Sequence, residues 1–249
     1  LEIVQENSLR RKIIRTSKEI IEDTYETPDG NAALNSAEEK IFAIGKGRET
    51  SDLVHVKEPI LSVINKFEGI SQNNAAYMGL KSGFDLLDNS TKGFLGGQLI
   101  VLAARPGCGK TSYAMNIVGH IALSNPEKKV AVFSLEMSKE ELTQRLVCSL
   151  AQVPMTTMLS GTGQAEEFRK IFEVQKQLNT SNVFIDDTAN LTSADVLSKC
   201  RRLAQQKKGL DFVVIDYLQL MGSDVQRDSK QYEVSDISRS MKILSKELG

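Results

Sequence analysis

The sequence predicts an α/β protein whose mostly parallel sheet is covered by helices and preceded by a helical N-terminal segment. Short, continuous apolar runs alternate with segments of helical periodicity, which is typical of strands buried on both faces. One run leads into a glycine-rich stretch that opens a helix. The runs are LIVLAA (99–104), KVAVFSLE (129–136), NVFIDD (182–187) and DFVVIDYLQL (211–220). Ligands of such a sheet gather at the carboxyl ends of its strands.

The segment before the α/β region is predicted to be helical. Residues 1–25 place apolar side chains at helical spacing on a charged background, and TPDGN (27–31) has the turn chemistry that ends a helix. A further helix is predicted around Pro59, with apolar residues at helical spacing after it.

A very short helix is predicted between these two. Ser36 and Glu39 have the spacing of a capping box, which marks a helix start. The apolar residues that follow are Ile41, Phe42 and Ile44. Two turns of helix are not stable alone in water, so we expect these three side chains to dock on another surface.

The remaining predicted helices lie between and after the apolar runs. GLKSGFDLLDNSTKGFLGGQ (79–98) indicates a short helical turn and loops. Ser138-x-x-Glu141 has capping-box spacing and opens a helix after the second run, and Thr192 opens another after the third run. Apolar residues at spacings of three and four from residue 234 to residue 248 predict a closing helix with a packing face.

The stretch after the first run predicts a phosphate-binding loop. It nearly fits G-x-x-x-x-G-K-[ST], with Ala104 at the first glycine position. Backbone N–H groups and a helix N-terminus would surround the phosphates, with Lys110 reaching the outer ones and the Thr111 hydroxyl placed for Mg²⁺. The nucleotide-binding residues are predicted to be Arg105, Pro106, Gly107, Cys108, Gly109, Lys110, Thr111 and Ser112. The alternative is a glycine-containing turn with an exposed lysine.

Two acids at the ends of other runs are candidate partners for this loop. Asp216 is predicted to help hold Mg²⁺, and the alternative is a structural aspartate. Glu136 is predicted to orient and deprotonate the attacking water, and the alternative is a helix-capping acid. The polar loop after Asp216 carries Arg227 and Lys230, which are candidate contacts to a nucleic-acid backbone, although a solvated loop is the favoured interpretation of either residue taken singly.

Composition narrows the class of protein. The net charge of −1 means that nucleic-acid affinity must come from a local patch. Three widely spaced cysteines lack metal-ligand spacing and indicate reduced thiols, which favours a cytoplasmic protein. No apolar run approaches the roughly 18 residues of a membrane span, so no membrane association is expected.

Several motifs in fixed order carry a family resemblance. ARPGCGKT, FSLEMS, IDYLQLM and EVSDISRSMKILSKEL, preceded by GLKSGFDLLDNSTKGFLGGQ, resemble hexameric replicative DNA helicases of the DnaB type. That family also has alanine at the position of Ala104. The resemblance implies a RecA-like P-loop NTPase core over residues 69–249, a linker with a docking helix over 31–68, and the end of an N-terminal helical domain over 1–30.

The resemblance also implies an activity. It indicates a homo-hexameric ring that hydrolyses ATP with Mg²⁺ between subunits while translocating on single-stranded DNA, with primase and a helicase loader as partners. Lys110 and Thr111 match the phosphate and metal contacts, Glu136 the catalytic carboxylate and Asp216 the second metal-site acid. The linker helix of the family packs on the neighbouring subunit.

Two alternatives remain open from the sequence. The sequence stops at Gly249, which is expected to lie before the family's later sheet strand, glutamine sensor, principal DNA loops and basic finger. The chain is then either part of an ATP-driven helicase motor or a nucleotide-binding assembly module without useful turnover. A recombinase-like ATPase on the same core is disfavoured by FSLEMS and the linker.

Overall fold

The computed structural model describes residues 2–30, 32–34, 36–37, 40–41, 54–72, 78–222 and 230–248. The chain divides into two compact units, Leu1–Asn74 and Ala75–Gly249. Within the described ranges, no helix combines the length and the apolar character needed to cross a membrane.

The first unit is helical, as predicted. Helix α1 spans Glu2–Glu26 and helix α2 spans Lys57–Gln72. The end of α1 directly before residues 27–31 confirms the predicted helix stop. Most apolar side chains of α2, including Ile60 and Phe67, are exposed.

The predicted start of the short helix at Ser36 is wrong. Helical residues are already present at Gly30 and at 32–34, so Ser36 lies inside a helix. Its hydroxyl donates to the carboxylate of Asp23 on α1 (3.4 Å), and Lys40 forms an ion pair with the same group. The hydrogen bond and charge of Lys40 lower the pKa of Asp23. The Ser36 side chain therefore contacts α1, and the amide of Glu39, its predicted capping partner, lies outside the described residues.

The structure describes only one of the three residues that are predicted to dock the short helix on another surface. Ile41 is helical and 60% exposed, which leaves its side chain available for another surface. Phe42 and Ile44 lie outside the described residues.

The second unit contains a sheet of three parallel strands. The strands are β1 (Lys129–Ser134), β2 (Asn182–Asp186) and β3 (Phe212–Asp216), in the order β2-β1-β3. Val132 of β1 pairs with Ile185 of β2 and with Val214 of β3. The helices are α3 (Asp85–Thr91), α4 (Lys110–Ser124), α5 (Lys139–Ala151), α6 (Met155–Leu159), α7 (Ala165–Leu178), α8 (Ser193–Lys207) and α9 (Lys230–Leu248). A short 3₁₀ turn, Leu218–Leu220, follows β3.

The central strand β1 separates two apolar layers. Val130 and Val132 pack in a buried cluster with residues of α4 and α5. Ala131 and Phe133 pack in a second cluster with residues of α8 and α9, such as Cys200. Because successive side chains of a strand point to opposite faces, β1 is buried on both sides. The predicted α/β architecture with helices on both faces of a parallel sheet is confirmed.

The predicted buried strand at residues 99–104 is wrong for this structure. These residues have no strand assignment, and Leu99, Ile100, Val101 and Leu102 are all exposed. A β-strand requires backbone hydrogen bonds to a neighbouring strand, and no described strand pairs with this run. The apolar composition of this run predicted a buried strand, but composition supplies no pairing partner.

Other boundaries differ from the predicted ones in smaller ways. The three strands end at Ser134, Asp186 and Asp216, shorter than the apolar runs that predicted them. The predicted helix starts at Ser138 and Thr192 are confirmed: each residue forms a capping box, and they begin α5 and α8. Sequence reasoning missed α6 and α7, although α7 begins with a capping box formed by Gln164 and Glu167. Glutamine is an uncommon helix cap, so this start was not recognised.

Candidate functional site

The phosphate loop (residues 105–112) leads into α4 through two glycines in left-handed conformations. Gly107 has a φ of 77° and Gly109 a φ of 84°, which side chains other than glycine rarely adopt. Gly109 caps α4 without a side-chain hydrogen bond to the helix amides. A Cβ atom built on either glycine would meet no atom within 4 Å. The loop is therefore open, with the first N–H groups of α4 left to an external acceptor.

Helix α4 is held in place by the segment before the apolar run. The ring of Phe84 stacks on that of Tyr113 with centroids 4.5 Å apart, and Gly83 packs directly against the side chain of His120. Buried Asp88 accepts hydrogen bonds from the N–H and hydroxyl of Ser82 (2.8 and 2.7 Å) and from the Gly83 N–H (3.2 Å). These contacts fix the segment that packs on α4.

Hydrogen bonds control the charge of Asp88. Burial acts to raise the pKa of this carboxyl, but the hydrogen bonds from Ser82 and Gly83, with a smaller contribution from the charge of His120, outweigh burial and lower the pKa. Asp88 is therefore a carboxylate with a structural role.

The start of α4 meets the carboxyl end of β3. The Thr111 hydroxyl donates to the carboxylate of Asp216 at 2.5 Å. The ammonium nitrogen of Lys110 lies over the ring of Tyr217, 4.7 Å from its centroid. The Asp216–Tyr217 peptide bond is cis. The structure thus brings together three predicted residues, Lys110, Thr111 and Asp216, and adds Tyr217 to them.

Glu136 lies at the same edge of the sheet. Ser134 of β1 is opposite Asp216 of β3 in the strand register, and the Leu135 N–H donates to the Asp216 carbonyl oxygen (2.9 Å). Glu136 follows directly and is exposed, and no hydrogen bond to its side chain is found within the described ranges. Ser138 and Glu141 form the complete cap of α5, so Glu136 is not needed as a helix-capping acid.

The structure describes some of the other predicted site residues but not all of them. Arg105, Pro106, Cys108 and Ser112 are exposed on the phosphate loop or the first turn of α4. Arg227 lies outside the described residues, and Lys230 begins α9 with a side chain that is also outside them. The two predicted DNA contacts therefore stay predictions.

Asp186, the acid at the end of β2, is already paired. Asp186 of β2 accepts hydrogen bonds from the Lys199 ammonium (2.6 Å) and the Thr188 N–H (2.9 Å). Burial acts to raise the pKa of Asp186, and the bonds from Lys199 and Thr188 outweigh it and lower the pKa. This carboxylate serves the contact between β2 and α8.

Two features of the site escaped the sequence reasoning. Tyr217 directly follows a predicted metal-site acid, and its aromatic ring was the available signal. The Lys242 ammonium and the Ser245 hydroxyl of α9 both donate to the carbonyl oxygen of Gly97 (2.7 and 3.2 Å), which anchors the beginning of the segment that leads to the loop. No pattern of neighbouring residues in the sequence predicts that contact.

The chemistry of the site fits a magnesium-bound nucleotide. The open loop offers backbone N–H groups, and the Lys110 side chain offers a cation to phosphate oxygens. Magnesium at nucleotide sites takes few protein ligands, because phosphates and water supply the rest, and Thr111 with Asp216 provides an oxygen pair of that kind. The described residues contain no cluster of three or more ligands of the His, Cys, Asp and Glu types.

Comparison with known families and proteins relates this chain to DNA helicases. Residues 79–249 match the family model described as the DnaB-like helicase C terminal domain. The chain is 36% identical over 248 residues to replicative DNA helicase DnaB of Geobacillus stearothermophilus and 39% identical over 261 residues to that of Haemophilus influenzae. It covers 54% of each of these relatives, whereas 99% of the chain is matched. The chain therefore spans about half their length.

Two solved structures are also similar to this chain. A structure of a DnaB-like replicative helicase, described with its interactions with primase, superimposes with a TM-score of 0.69 at 27% identity, over 99% of this chain and 57% of that one. A second solved structure, described as an ATPase domain, superimposes with a TM-score of 0.71 at 30% identity, over 79% of this chain and 69% of that one.

Proposed function

The chain belongs to the family of DnaB-like helicase C-terminal domains, and from this premise we propose that it binds ATP with Mg²⁺ and forms part of the motor of a replicative DNA helicase. The observation that carries the proposal is the contact between Thr111 and Asp216 beside an uncapped helix start. It joins the element that would bind phosphates to the strand that would help hold the metal.

Each residue of the site then has a separate task. Lys110 and the loop amides bind the outer phosphates, and the helix dipole adds to their attraction. Thr111 and Asp216 would hold Mg²⁺, and its charge would stabilise the phosphate oxygens during transfer of the terminal phosphate to water. Glu136, exposed beyond β1 on the same sheet edge, orients and deprotonates that water.

The wider activity is part of the same proposal. The family, and the relatives named as replicative DNA helicases, support a homo-hexameric ring that translocates on single-stranded DNA in the cytoplasm. Primase would be one partner, since one neighbour is described by its interactions with primase. A helicase loader would be a second partner, as the family resemblance of the sequence implies. Arg227 and Lys230 would contact the DNA backbone, and Ile41, Phe42 and Ile44 would dock on the adjacent subunit.

The proposed domain limits follow the same logic. Residues 1–30 would end an N-terminal helical domain, 31–68 would form the linker, and 69–249 would form the RecA-like core. The relatives favour this helicase motor over a recombinase-like ATPase or a module without turnover.

Cys108 provides a direct test of nucleotide binding. It is exposed in the phosphate loop, so brief maleimide treatment should alkylate it first, and Mg²⁺ with ATP should protect it by covering the loop. Burial raises the pKa of the Cys148 thiol, and it raises that of Cys200 to about 12, so both react slowly and serve as internal references. Labelling is measured by peptide mass spectrometry.

The labelling of Cys108 distinguishes a loop that binds nucleotide from one that does not. Loss of Cys108 labelling with Mg²⁺ and ATP, at unchanged labelling of Cys148, supports the proposal. Equal labelling of Cys108 with and without nucleotide would show that phosphates do not occupy the loop, and the proposed function would fail.

A further inference from the structure

Two consecutive residues of α4 meet two consecutive residues at the end of β3. Thr111 contacts Asp216 through a hydrogen bond, and Lys110 contacts Tyr217 through the face of its ring. The first contact has an expected role in metal binding. The second joins the lysine that would bind phosphate to an aromatic side chain that has not been given a role.

The ring holds the lysine without neutralising it. A lysine side chain has four flexible carbon–carbon torsions, and an ammonium over an aromatic face is attracted by the negative face of the ring. Within the described part of the chain, Lys110 makes no ion pair with a carboxylate that would compete with phosphate for its charge. The ammonium can therefore lie on the ring with its other N–H donors free to bind phosphate oxygens.

From this contact we propose that Tyr217 is a positioning residue: its ring holds the Lys110 ammonium at the mouth of the phosphate loop and thereby sets the affinity for the outer phosphates of the nucleotide. The proposal rests on the proposed function, because it assigns Tyr217 a task only if Lys110 binds phosphate. The ring acts through Lys110 and needs no contact of its own with the nucleotide.

Two substitutions separate the ring from the hydroxyl. Tyr217→Phe keeps the aromatic face, and Tyr217→Leu keeps an apolar side chain but removes the ring. A cation–π contact at a partly exposed site is worth enough to change the dissociation constant for Mg²⁺–ATP about three- to tenfold. We expect that rise for Tyr217→Leu and a change within about twofold for Tyr217→Phe. Calorimetric titration of the 249-residue chain measures both constants, and thermal unfolding verifies that each variant is folded.

A second measurement requires no nucleotide. In the free protein, the ring should shield the Lys110 amine from an amine-reactive ester, and the exposed Lys139 side chain serves as a reference in the same sample. The ratio of Lys110 to Lys139 labelling should rise about two- to fivefold in Tyr217→Leu and stay unchanged in Tyr217→Phe. A purely structural role for Tyr217 would not change this ratio selectively.

A third variant separates failure of the inference from failure of the proposed function. Lys110→Ala should abolish measurable Mg²⁺–ATP binding, and normal binding by that variant would refute the phosphate-binding role itself. Suppose that Lys110→Ala loses binding while Tyr217→Leu either binds Mg²⁺–ATP as tightly as the parent or shows the parent's ratio of Lys110 to Lys139 labelling. The positioning role of Tyr217 is then wrong, and the nucleotide site is retained.

Discussion

Two continuous apolar runs of this molecule adopt different structures. Strand β1 is hydrogen-bonded to a strand on each side, and its residues from Val130 to Phe133 are buried. The run LIVLAA at 99–104 has no described strand beside it, and its large side chains are exposed. The comparison teaches that an apolar run becomes a buried strand only where neighbouring backbone satisfies its N–H and C=O groups.

The helices that follow the two runs differ in a related way. After β1, helix α5 begins with Ser138 and Glu141 in a reciprocal cap that occupies the free amides. After residues 99–104, helix α4 begins at Gly109 with no side-chain cap. A junction that satisfies its own amides is structural, and one that leaves them open has the chemistry of a binding site. Four tests examine this contrast, from the largest expected effect to the smallest.

A charge placed in each run should give the largest contrast. Val132 is 1% exposed and Val101 is 68% exposed. Val132→Asp buries a carboxylate between two apolar layers and should lower the free energy of unfolding by more than about 4 kcal/mol, whereas Val101→Asp should change it by less than about 0.5 kcal/mol. Urea denaturation of the two variants measures both values. Equal losses would mean that residues 99–104 are buried in solution, and the contrast would disappear.

The second substitution tests whether the end of β1 also serves the site. Glu136→Gln keeps the shape of the side chain but removes the base, so turnover should fall about 10²- to 10⁴-fold with nucleotide affinity nearly unchanged. The measurement compares ATP affinity and hydrolysis on one preparation of a chain as long as the relatives. Glu140→Gln is a matched control, because Glu140 is an exposed acid in the first turn of α5. Turnover within a few-fold of the parent would exclude Glu136 as the base.

The third substitution tests the support under α4. Asp88→Asn replaces a buried carboxylate that accepts three hydrogen bonds, and it should cost about 1–3 kcal/mol near neutral pH. Because the folded-state pKa of Asp88 is lowered, its contribution is complete above the ordinary aspartate pKa of about 3.9 and is lost as the pH falls through the folded value. Unfolding free energies of parent and variant at several pH values should therefore converge in acid. A constant difference would rule out the carboxylate charge as the cause.

The smallest expected effect concerns the cap of α5. Ser138→Ala removes the oxygen that accepts from the Glu141 N–H and should cost about 1 kcal/mol in unfolding free energy. Thr143→Ala on the same helix is the control, since its hydroxyl only bonds back to the Lys139 carbonyl oxygen and its loss should be nearly neutral. If both variants unfold alike, the closed junction contributes no more than an ordinary surface hydroxyl.

The sequence allowed much of the fold to be predicted where the determinants are local. Capping boxes at Ser138 and Thr192 specify helix starts through residues three positions apart, and continuous apolar runs identified all three paired strands. Gln164 shows the limit of this reasoning, because its capping box uses an uncommon residue type and α7 was missed. Ser36 shows another limit, since helical residues precede it and its hydroxyl contacts Asp23, a partner 13 residues earlier on α1.

The site was predictable to the extent that its residues follow a fixed spacing. The phosphate loop is one continuous motif, and Asp216 ends an apolar run, so both could be identified before their contact was known. The contact of Lys110 with the ring of Tyr217 depends on how α4 and β3 pack, and one-dimensional patterns do not contain that distance. Whether residues 99–104 pair with a strand likewise depends on which strands lie beside them, and composition does not determine this. Within the described sheet, no strand pairs with them.

The anchor between α9 and Gly97 has a consequence for the order of folding. Its two hydrogen bonds close chain segments of 145 and 148 residues, whereas the caps of α5 and α8 close within three. Contacts of large sequence separation form only after the chain between them has lost much of its entropy, which makes them slow. The segment leading to the phosphate loop is therefore expected to become fixed late, after the helices and the sheet have assembled around it.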